Sequence, residues 1–270
     1  MRIFAYIDGL TIPKNDDKIY QIVERKLFKM LDRNNPQPLY VQVHNILVGR
    51  LDSGIYKPHD RIPSENLLRQ EFGVSRETLR SVLTELVRDG RLYRVQGKGT
   101  YVSEPKITAK DFTYVGIRRQ LEELGYNVTT ILLGVEKQPC PLSIAAHLQI
   151  PEGEEVYYIQ RLRKVKEESL SIHNTYVPAA LCPDFARNDF CNKQMCELLS
   201  EQYGLVRGRV RETLESVLAR EDETELLGIK KGQPLLKLSD EIATADGQLF
   251  EYSTVVFRGD KLKIQLNYGF

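Results

Sequence analysis

The sequence lacks the features of membrane, secreted and disulfide-bonded proteins. No apolar run comes near the roughly 18 residues that a helix needs to span a bilayer, and the N-terminus lacks the apolar core and small-residue cleavage site of a signal peptide. The four cysteines form neither a C-x-x-C pair nor a regular framework, so we expect reduced thiols. These absences predict a cytoplasmic protein with no membrane partner, and its 270 residues suffice for two domains.

Signatures of catalysis and of metal binding are also missing. The four histidines are scattered, without H-x-x-x-H or H-E-x-x-H spacing, and the chain has neither a G-x-S-x-G motif nor a P-loop. Glu212 and Glu215 lie in one predicted strand, where their odd spacing puts the two carboxylates on opposite faces. The sequence therefore predicts no enzyme, no catalytic residue, no metal site and no cofactor.

What the sequence does contain is an amphipathic helix between Ser75 and Gly90. Ser75 is a good N-cap, and Gly90 supplies a left-handed stop at the other end. Apolar residues recur at the spacing of one buried helix face, at Leu79, Val82, Leu83, Leu86 and Val87. The other flank is polar and carries Arg76, Glu77, Arg80, Thr84 and Arg88.

The segments around this helix complete a winged helix-turn-helix at residues 36–103. A helix begins after Pro38, a short second helix begins at the N-cap Ser64, and "RLYRVQGKGTYV" alternates around a Gly-Lys-Gly turn as a hairpin does. Residues 61–101 hold eight basic and five acidic side chains, whereas residues 106–270 hold 21 basic and 24 acidic ones. This excess of positive charge favours DNA as the partner of the first domain.

The candidate DNA contacts lie on the third helix, at helix N-termini and on the hairpin. Arg76 and Arg80 are one turn apart at the leading end of the helix, where a guanidinium can bind guanine O6 and N7 bidentately. Glu77 can accept from a cytosine amine or orient an arginine, and the serine and threonine hydroxyls can contact phosphates. The full predicted set is Ser64, Glu65, Asn66, Ser75, Arg76, Glu77, Thr78, Arg80, Gln96, Gly97 and Lys98.

The rest of the chain divides into a leader, a linker and a second domain. Residues 1–35 contain a predicted helix at 19–33, and an added element or an upstream translation start would each explain this leader. Residues 104–110 are polar and contain a proline, as linkers do. Residues 111–270 alternate strands with short helices, which predicts an α+β domain with an antiparallel sheet and helices covering one side.

The segment "PLYVQVHNILVGRLDSGIYKPHDRIPSENLLRQEFGVSRETLRSVLTELVRDGRLYRVQGKGTYV" resembles the signature of the GntR family of bacterial transcription regulators. The second half resembles the UTRA effector domain of the HutC subfamily, in "FTYVGIRRQLEELGY", "PEGEEVYYIQRLRKV" and "DGQLFEYSTVVFRGDKLKI". This resemblance covers about residues 36–268 and implies a two-domain fold whose second domain is like chorismate lyase. It also implies a homodimeric repressor that binds a palindromic double-stranded operator and releases it when a metabolite binds.

Family contacts carry over onto some of these positions. Arg76, Arg80 and Gly97 match positions that touch DNA in relatives. Asn66 stands where many members have arginine, and Glu77 where threonine is frequent, so the operator sequence is not predicted.

In the second domain the resemblance suggests an effector pocket. Arg161 and Arg163 are two apart in a strand and share one face, where the family pair lines the ligand site and suits a phosphate or carboxylate. An exposed strand face paired with Glu154 or Glu155 is the competing interpretation. His173 and Asn174 stand where many relatives place a glutamate. The predicted pocket is Phe112, Thr113, Arg161, Arg163, Asn174, Tyr176, Glu251 and Tyr252.

The favoured effector is a small anion such as a phosphorylated sugar, with Phe112 and Thr113 offering backbone N–H groups before a helix. Glu251 and Tyr252 would bond the sugar hydroxyls. An activator, or a regulator that responds to an amino-acid derivative, a fatty acid or another non-phosphorylated ligand, remains the alternative.

Overall fold

The structure is a computed structural model that describes residues 4–7, 10–13, 31–110 and 116–267. The chain divides into two compact units, residues 1–105 and 106–270. In the leader, β1 (Phe4–Ile7) pairs antiparallel with β2 (Leu10–Pro13). The predicted leader helix lies outside the described residues as far as residue 30.

The first domain is a winged helix-turn-helix, as predicted. Ser64 and Ser75 cap the second and third helices, since each hydroxyl accepts a hydrogen bond from a backbone N–H three residues later. Gly73 ends the second helix with a φ of 61°. The elements are α1 (Leu39–Asp52), α2 (Glu65–Phe72), α3 (Arg76–Arg88), β3 (Leu92–Val95) and β4 (Gly99–Val102).

The apolar stripe of α3 forms the centre of this domain's core. Its buried members pack in one cluster with Val43 and Leu47 of α1 and with Leu68 of α2. Burying a leucine or valine side chain fully stabilises a fold by about 1.5–3 kcal/mol. Four stripe residues are at most 1% exposed, namely Leu79, Val82, Leu83 and Leu86. This packing fixes which flank of α3 faces outward.

The wing is joined to Arg61 by an isolated backbone bridge that no local sequence pattern predicts. The backbone N–H of Ile62 donates to the Thr100 carbonyl at 3.0 Å, and Arg61 forms an isolated bridge with Tyr101. This bridge lays the Arg61 side chain against Gly99, where a Cβ would stand 2.7 Å from Nε of the arginine. Gly99 also has a φ of 133°, which side-chain-bearing residues rarely adopt. The wing therefore requires glycine at this position.

The second domain is built on one antiparallel sheet of six strands. The strands are β6 (Val128–Pro139), β7 (Glu155–Val165), β8 (Glu168–Pro178), β9 (Arg209–Leu218), β10 (Pro234–Ala243) and β11 (Leu249–Arg258). Their order in the sheet is β6-β7-β8-β11-β10-β9, and side chains alternate between the two sheet faces along each strand.

Helices cover both faces of this sheet, so the prediction of helices on one side is wrong. On one face, α4 (Gly116–Glu123) and α6 (Met195–Tyr203) share apolar clusters with β7. On the opposite face, α5 (Leu142–Leu148) and α7 (Glu221–Leu227) pack against the sheet. Tyrosine and valine side chains on both faces of the strands are apolar enough for helices to pack on them.

The linker is shorter than predicted. Residues 107–109 form β5 (Ile107–Ala109), which pairs in parallel with β12 (Leu262–Ile264). Ala109 and Leu262 are buried in the cluster that also contains Phe257. The apolar residues Ile107 and Ala109, which follow Lys106, therefore belong to the second domain.

Candidate DNA-binding groove and effector cavity

A basic groove lies between the leading end of α3 and the wing. Five cationic side chains and one carboxylate, that of Glu65, line it. This excess of positive charge suits a polyanion, and the groove exposes the helix end that enters a major groove in helix-turn-helix proteins. The cationic residues are Arg61, Arg76, Arg80, Arg94 and Lys98.

Most of the predicted DNA contacts come together in this groove. Beside the arginines, it brings in Ser64, Glu65, Gln96, Gly97 and Lys98. The remaining predicted residues lie beside it, and Glu77 lines a neighbouring concavity with Arg80 and Arg88.

The other three predicted contacts are at helix starts outside the groove. Ser75 and Thr78 share a hydrogen bond of 2.8 Å between their side-chain oxygens at the start of α3. Asn66 is exposed in the first turn of α2.

Arg61 and Arg94 also line the groove, although they are not among the DNA contacts predicted from the sequence. Nη2 of Arg94 lies 3.4 Å from Oγ1 of Thr84 and 3.7 Å from Oε1 of Glu65. Arg94 is two residues from the buried Leu92 and so shares the strand face that is turned toward the helices. Strand alternation is therefore the sequence signal that identifies Arg94 as a groove residue. Arg61 reaches the groove through its backbone bridge to the wing, for which no local sequence signal exists.

One cluster of possible metal ligands occurs in the part of the chain that the structure describes. The donor atoms of His44, Glu85 and Asp89 lie within 4.8 Å of one another. Arg88 sits 3.7 Å from Glu85 and 3.5 Å from Asp89, so a cation already faces both carboxylates. This cluster is at the opposite end of α3 from Arg76.

The second domain contains a polar cavity on the sheet face that α4 and α6 cover, which we call the effector cavity. The empty space between its walls, its open mouth included, is about 680 Å³. Of the predicted pocket residues, it brings together Arg161, Arg163 and Glu251, whereas Phe112 and Thr113 lie outside the described residues. Its polar walls are Arg161, Arg163, His173, Thr175, Gln194, Arg207, Glu212, Asp240, Glu251 and Ser253.

Arg161 and Arg163 are buried without a carboxylate in contact. They are 3% and 6% exposed, and neither has a hydrogen bond or ion pair within the described ranges. Burial lowers the pKa of Arg161, and burial together with the nearby Arg161 lowers the pKa of Arg163 to about 9. Arginine side chains keep their proton in proteins at neutral pH, so both guanidiniums carry a charge. The interpretation of an exposed strand face paired with Glu154 or Glu155 is therefore wrong, because both arginines are buried and Glu155 pairs with Lys137.

His173 lies directly across from Arg161 in the β7–β8 register. Burial, Arg163 and Arg161 hold the pKa of His173 well below its ordinary value, so the imidazole is neutral. Its Nε2 is 2.9 Å from the Ser171 hydroxyl. His173 therefore adds no positive charge beside the two arginines, and a histidine has no negative charge with which to balance them.

The carboxylates of the cavity stand on the strands beyond β8. Glu251 is 3% exposed, and its buried Oε2 has no hydrogen-bond partner among the described residues. The Ser253 hydroxyl donates to Oδ2 of Asp240 at 3.3 Å, while Oδ1 of Asp240 is buried without one. Burial, with Glu212 and Glu251 nearby, raises the pKa of Asp240 to about 7.

Asn174, Tyr176 and Tyr252 point to the opposite sheet face, which corrects their assignment to the pocket. Each is one residue away from a cavity-lining neighbour, and adjacent strand residues face opposite sides. Oδ1 of Asn174 accepts from the Tyr158 hydroxyl at 2.8 Å, and Tyr176 stacks on the same tyrosine ring. Tyr252 stacks on His147 of α5 with 4.2 Å between ring centroids. These residues form a packed wall behind the cavity.

Two protein families match the two domains. Residues 39–102 match the family described as bacterial regulatory proteins, gntR family, and residues 123–263 match the UTRA domain. The chain belongs to the GntR family. With its UTRA domain it is a DNA-binding transcription regulator, and its named relatives are transcription regulators as well.

Individual relatives support this membership along most of the chain. The histidine utilization repressor of Pseudomonas putida is 32% identical over 201 residues, covering 74% of this chain and 80% of that protein. The mannosyl-D-glycerate transport/metabolism system repressor MngR of Escherichia coli K12 is 30% identical over 230 residues, covering 85% and 95%.

A solved structure shares the fold. The crystal structure of PhnF from Mycobacterium smegmatis matches with a TM-score of 0.60 and 25% identity, over 84% of this chain and 99% of that one. Within the described residues, no helix combines the length and apolarity that crossing a bilayer requires.

Proposed function

We propose that this GntR-family regulator is a homodimeric repressor of a catabolic operon, released from its operator when a small anionic metabolite binds the effector cavity. The observation that carries the proposal is the pair of buried, charged and unpaired guanidiniums of Arg161 and Arg163. A buried charge without a partner is costly, so an anion that entered the cavity would gain strong interactions.

Repression is supported by the names of the relatives, which include a histidine utilization repressor and a mannosyl-D-glycerate system repressor. These names span an amino acid and a sugar acid, so they favour control of catabolism without selecting one metabolite. For this chain a phosphorylated sugar fits the arginine pair as a phosphate ligand, and an amino-acid derivative fits it as a carboxylate.

Operator recognition would divide between two kinds of contact. Arg76 and Arg80 project from the leading end of α3 and are the candidates for guanine recognition in the major groove. Arg61, Arg94 and Lys98 lie along the wing side and would contact phosphates. A symmetric dimer would present two such surfaces about 34 Å apart, one helical turn of a palindrome.

Release requires that the metabolite bind one dimer geometry better than another. An affinity ratio of about 10 to 100 corresponds to a coupling free energy of roughly 1.4–2.7 kcal/mol. The arginine pair supplies this difference only if both guanidiniums converge on the anion in one geometry and not in the other.

The test is an induction assay with the full chain. Phosphorylated sugars, amino acids and acyl compounds are screened by thermal shift, and each hit is tested for release of a duplex selected from a random DNA pool. We expect Arg161→Ala to bind that duplex normally but to resist release, while Arg161→Lys keeps part of the response. Arg187→Ala, which removes an exposed arginine paired with Asp184, is the matched control. Normal release of Arg161→Ala would reject the effector assignment.

A further inference from the structure

The effector cavity carries as many carboxyl groups as guanidinium groups. Three guanidiniums and three carboxylates line it, those of Arg161, Arg163, Arg207, Glu212, Asp240 and Glu251. An effector with negative charge alone would be attracted by the first set and repelled by the second. The composition of the cavity thus favours a ligand with charges of both signs.

The two buried arginines and the three carboxyl groups stand on different strands of the sheet, and Arg207 lies on the carboxyl side. Both buried arginines stand on β7, while the carboxylates stand on β11, β10 and β9, on the far side of β8. Neighbouring strands are about 4.8 Å apart, so the backbones of β7 and β10 are about 14 Å apart across three intervals. Side chains on the same face of the intervening strands line the cavity between its two ends.

The carboxylate end has unsatisfied groups of its own. Glu251 is almost fully buried, and its Oε2 lacks a hydrogen-bond partner among the described residues. Oδ1 of Asp240 is in the same situation, and the Ser253 hydroxyl reaches only the other oxygen of that carboxylate. Arg207 lines the cavity nearby, but no ion pair joins it to either acid in the described part of the chain. Buried acceptors of this kind favour a ligand with N–H donors.

Resting on the proposed function, we propose that Glu251 and Asp240 bind a protonated amine of the effector, which is therefore a small zwitterion. Its phosphate or carboxylate lies at Arg161 and Arg163, and its ammonium group, with three donors, lies at the two carboxylates. This arrangement satisfies both ends of the cavity at once.

The proposal is tested with pairs of compounds that differ by one amine. Glucosamine 6-phosphate is compared with glucose 6-phosphate, histidine with imidazolepropionate, and aspartate with succinate, each by calorimetric titration of the full chain. In every pair that binds, we expect the amine-bearing member to bind at least about tenfold more tightly, and we expect Glu251→Gln to remove this preference. Asp240→Asn provides a second variant in case the first does not fold, and Glu201→Gln changes an exposed glutamate as the control.

The outcomes separate this inference from the proposed function. If the amine-free member of a binding pair binds as tightly as its partner, or if the preference survives both variants, the zwitterion assignment is overturned and anion recognition stands. If no member of any pair binds, or if Arg161→Ala leaves binding unchanged, anion recognition fails and the zwitterion assignment fails with it.

Discussion

The two candidate sites of this chain use the same side chain in opposite surroundings. Arg76 and Arg80 of the groove are exposed to solvent, whereas Arg161 and Arg163 of the effector cavity are buried. Exposed arginines are solvated before they bind and are screened by salt, while buried ones have already lost their hydration. The groove is therefore suited to a long polyanion with many weak contacts, and the cavity to one small ligand with a few strong contacts.

Salt should separate the two sites most clearly. Operator affinity is expected to fall by about 10³-fold or more between roughly 50 and 200 mM salt, because phosphate contacts release counterions. Effector affinity should change by less than about tenfold over the same range, because buried charges are screened less. Fluorescence anisotropy with labelled duplex and calorimetric titration of the effector measure the two slopes. Equal slopes would contradict the distinction between an exposed and a buried arginine site.

A second contrast concerns stability, since the pKa of Asp240 is about 7 in the folded chain against an ordinary value of 3.8. Between these values the unfolded carboxyl loses its proton while the folded one keeps it, so folding stability falls as pH rises from about 4 to about 7. The slope is at most about 1.4 kcal/mol per pH unit. Asp240→Asn should flatten this profile and raise the melting temperature of the second domain at pH 8. Thermal unfolding at several pH values measures it, and parallel profiles for both proteins would argue against a buried acid.

The smallest effects should distinguish base contacts from phosphate contacts within the groove. Arg76→Ala or Arg80→Ala is expected to cost about 1–3 kcal/mol of operator binding and to relax sequence preference without changing folding. Arg94→Ala should weaken specific and non-specific duplexes alike and lower the salt slope by about one. Arg69→Ala, an exposed arginine of α2 outside the groove, serves as the control. If Arg80→Ala left operator binding intact, α3 would not be the recognition helix.

Local patterns predicted the parts of the fold that depend on local physics. The stripe from Leu79 to Leu86 predicted the buried face of α3, and Ser75 predicted where the helix begins. The i, i+2 spacing of Arg161 and Arg163 likewise predicted that both would share one face. The same alternation separates Glu251 from Tyr252, so the prediction that both line one pocket is wrong for Tyr252.

Other features depended on contacts that no local pattern encodes. Arg61 joins the wing through a backbone bridge to Tyr101, forty residues along the chain. Asp240 and Glu251 line the same cavity because β10 and β11 are neighbours in the sheet, and the burial of Glu251 depends on helices packed from elsewhere in the sequence. The strand sequences do not predict helices on both sides of the sheet, because apolar and polar positions occur on each sheet face.

The contact between Gly99 and Arg61 has an evolutionary consequence. The neighbouring loop positions, Gln96 and Lys98, are exposed and can change without disturbing the fold, so a lineage can tune the strength of its DNA contacts there. Position 99 has no such freedom, because any larger residue would adopt a strained backbone and displace the arginine beside it. Among descendants of this protein, the residues of the wing turn should therefore vary while glycine is kept at position 99.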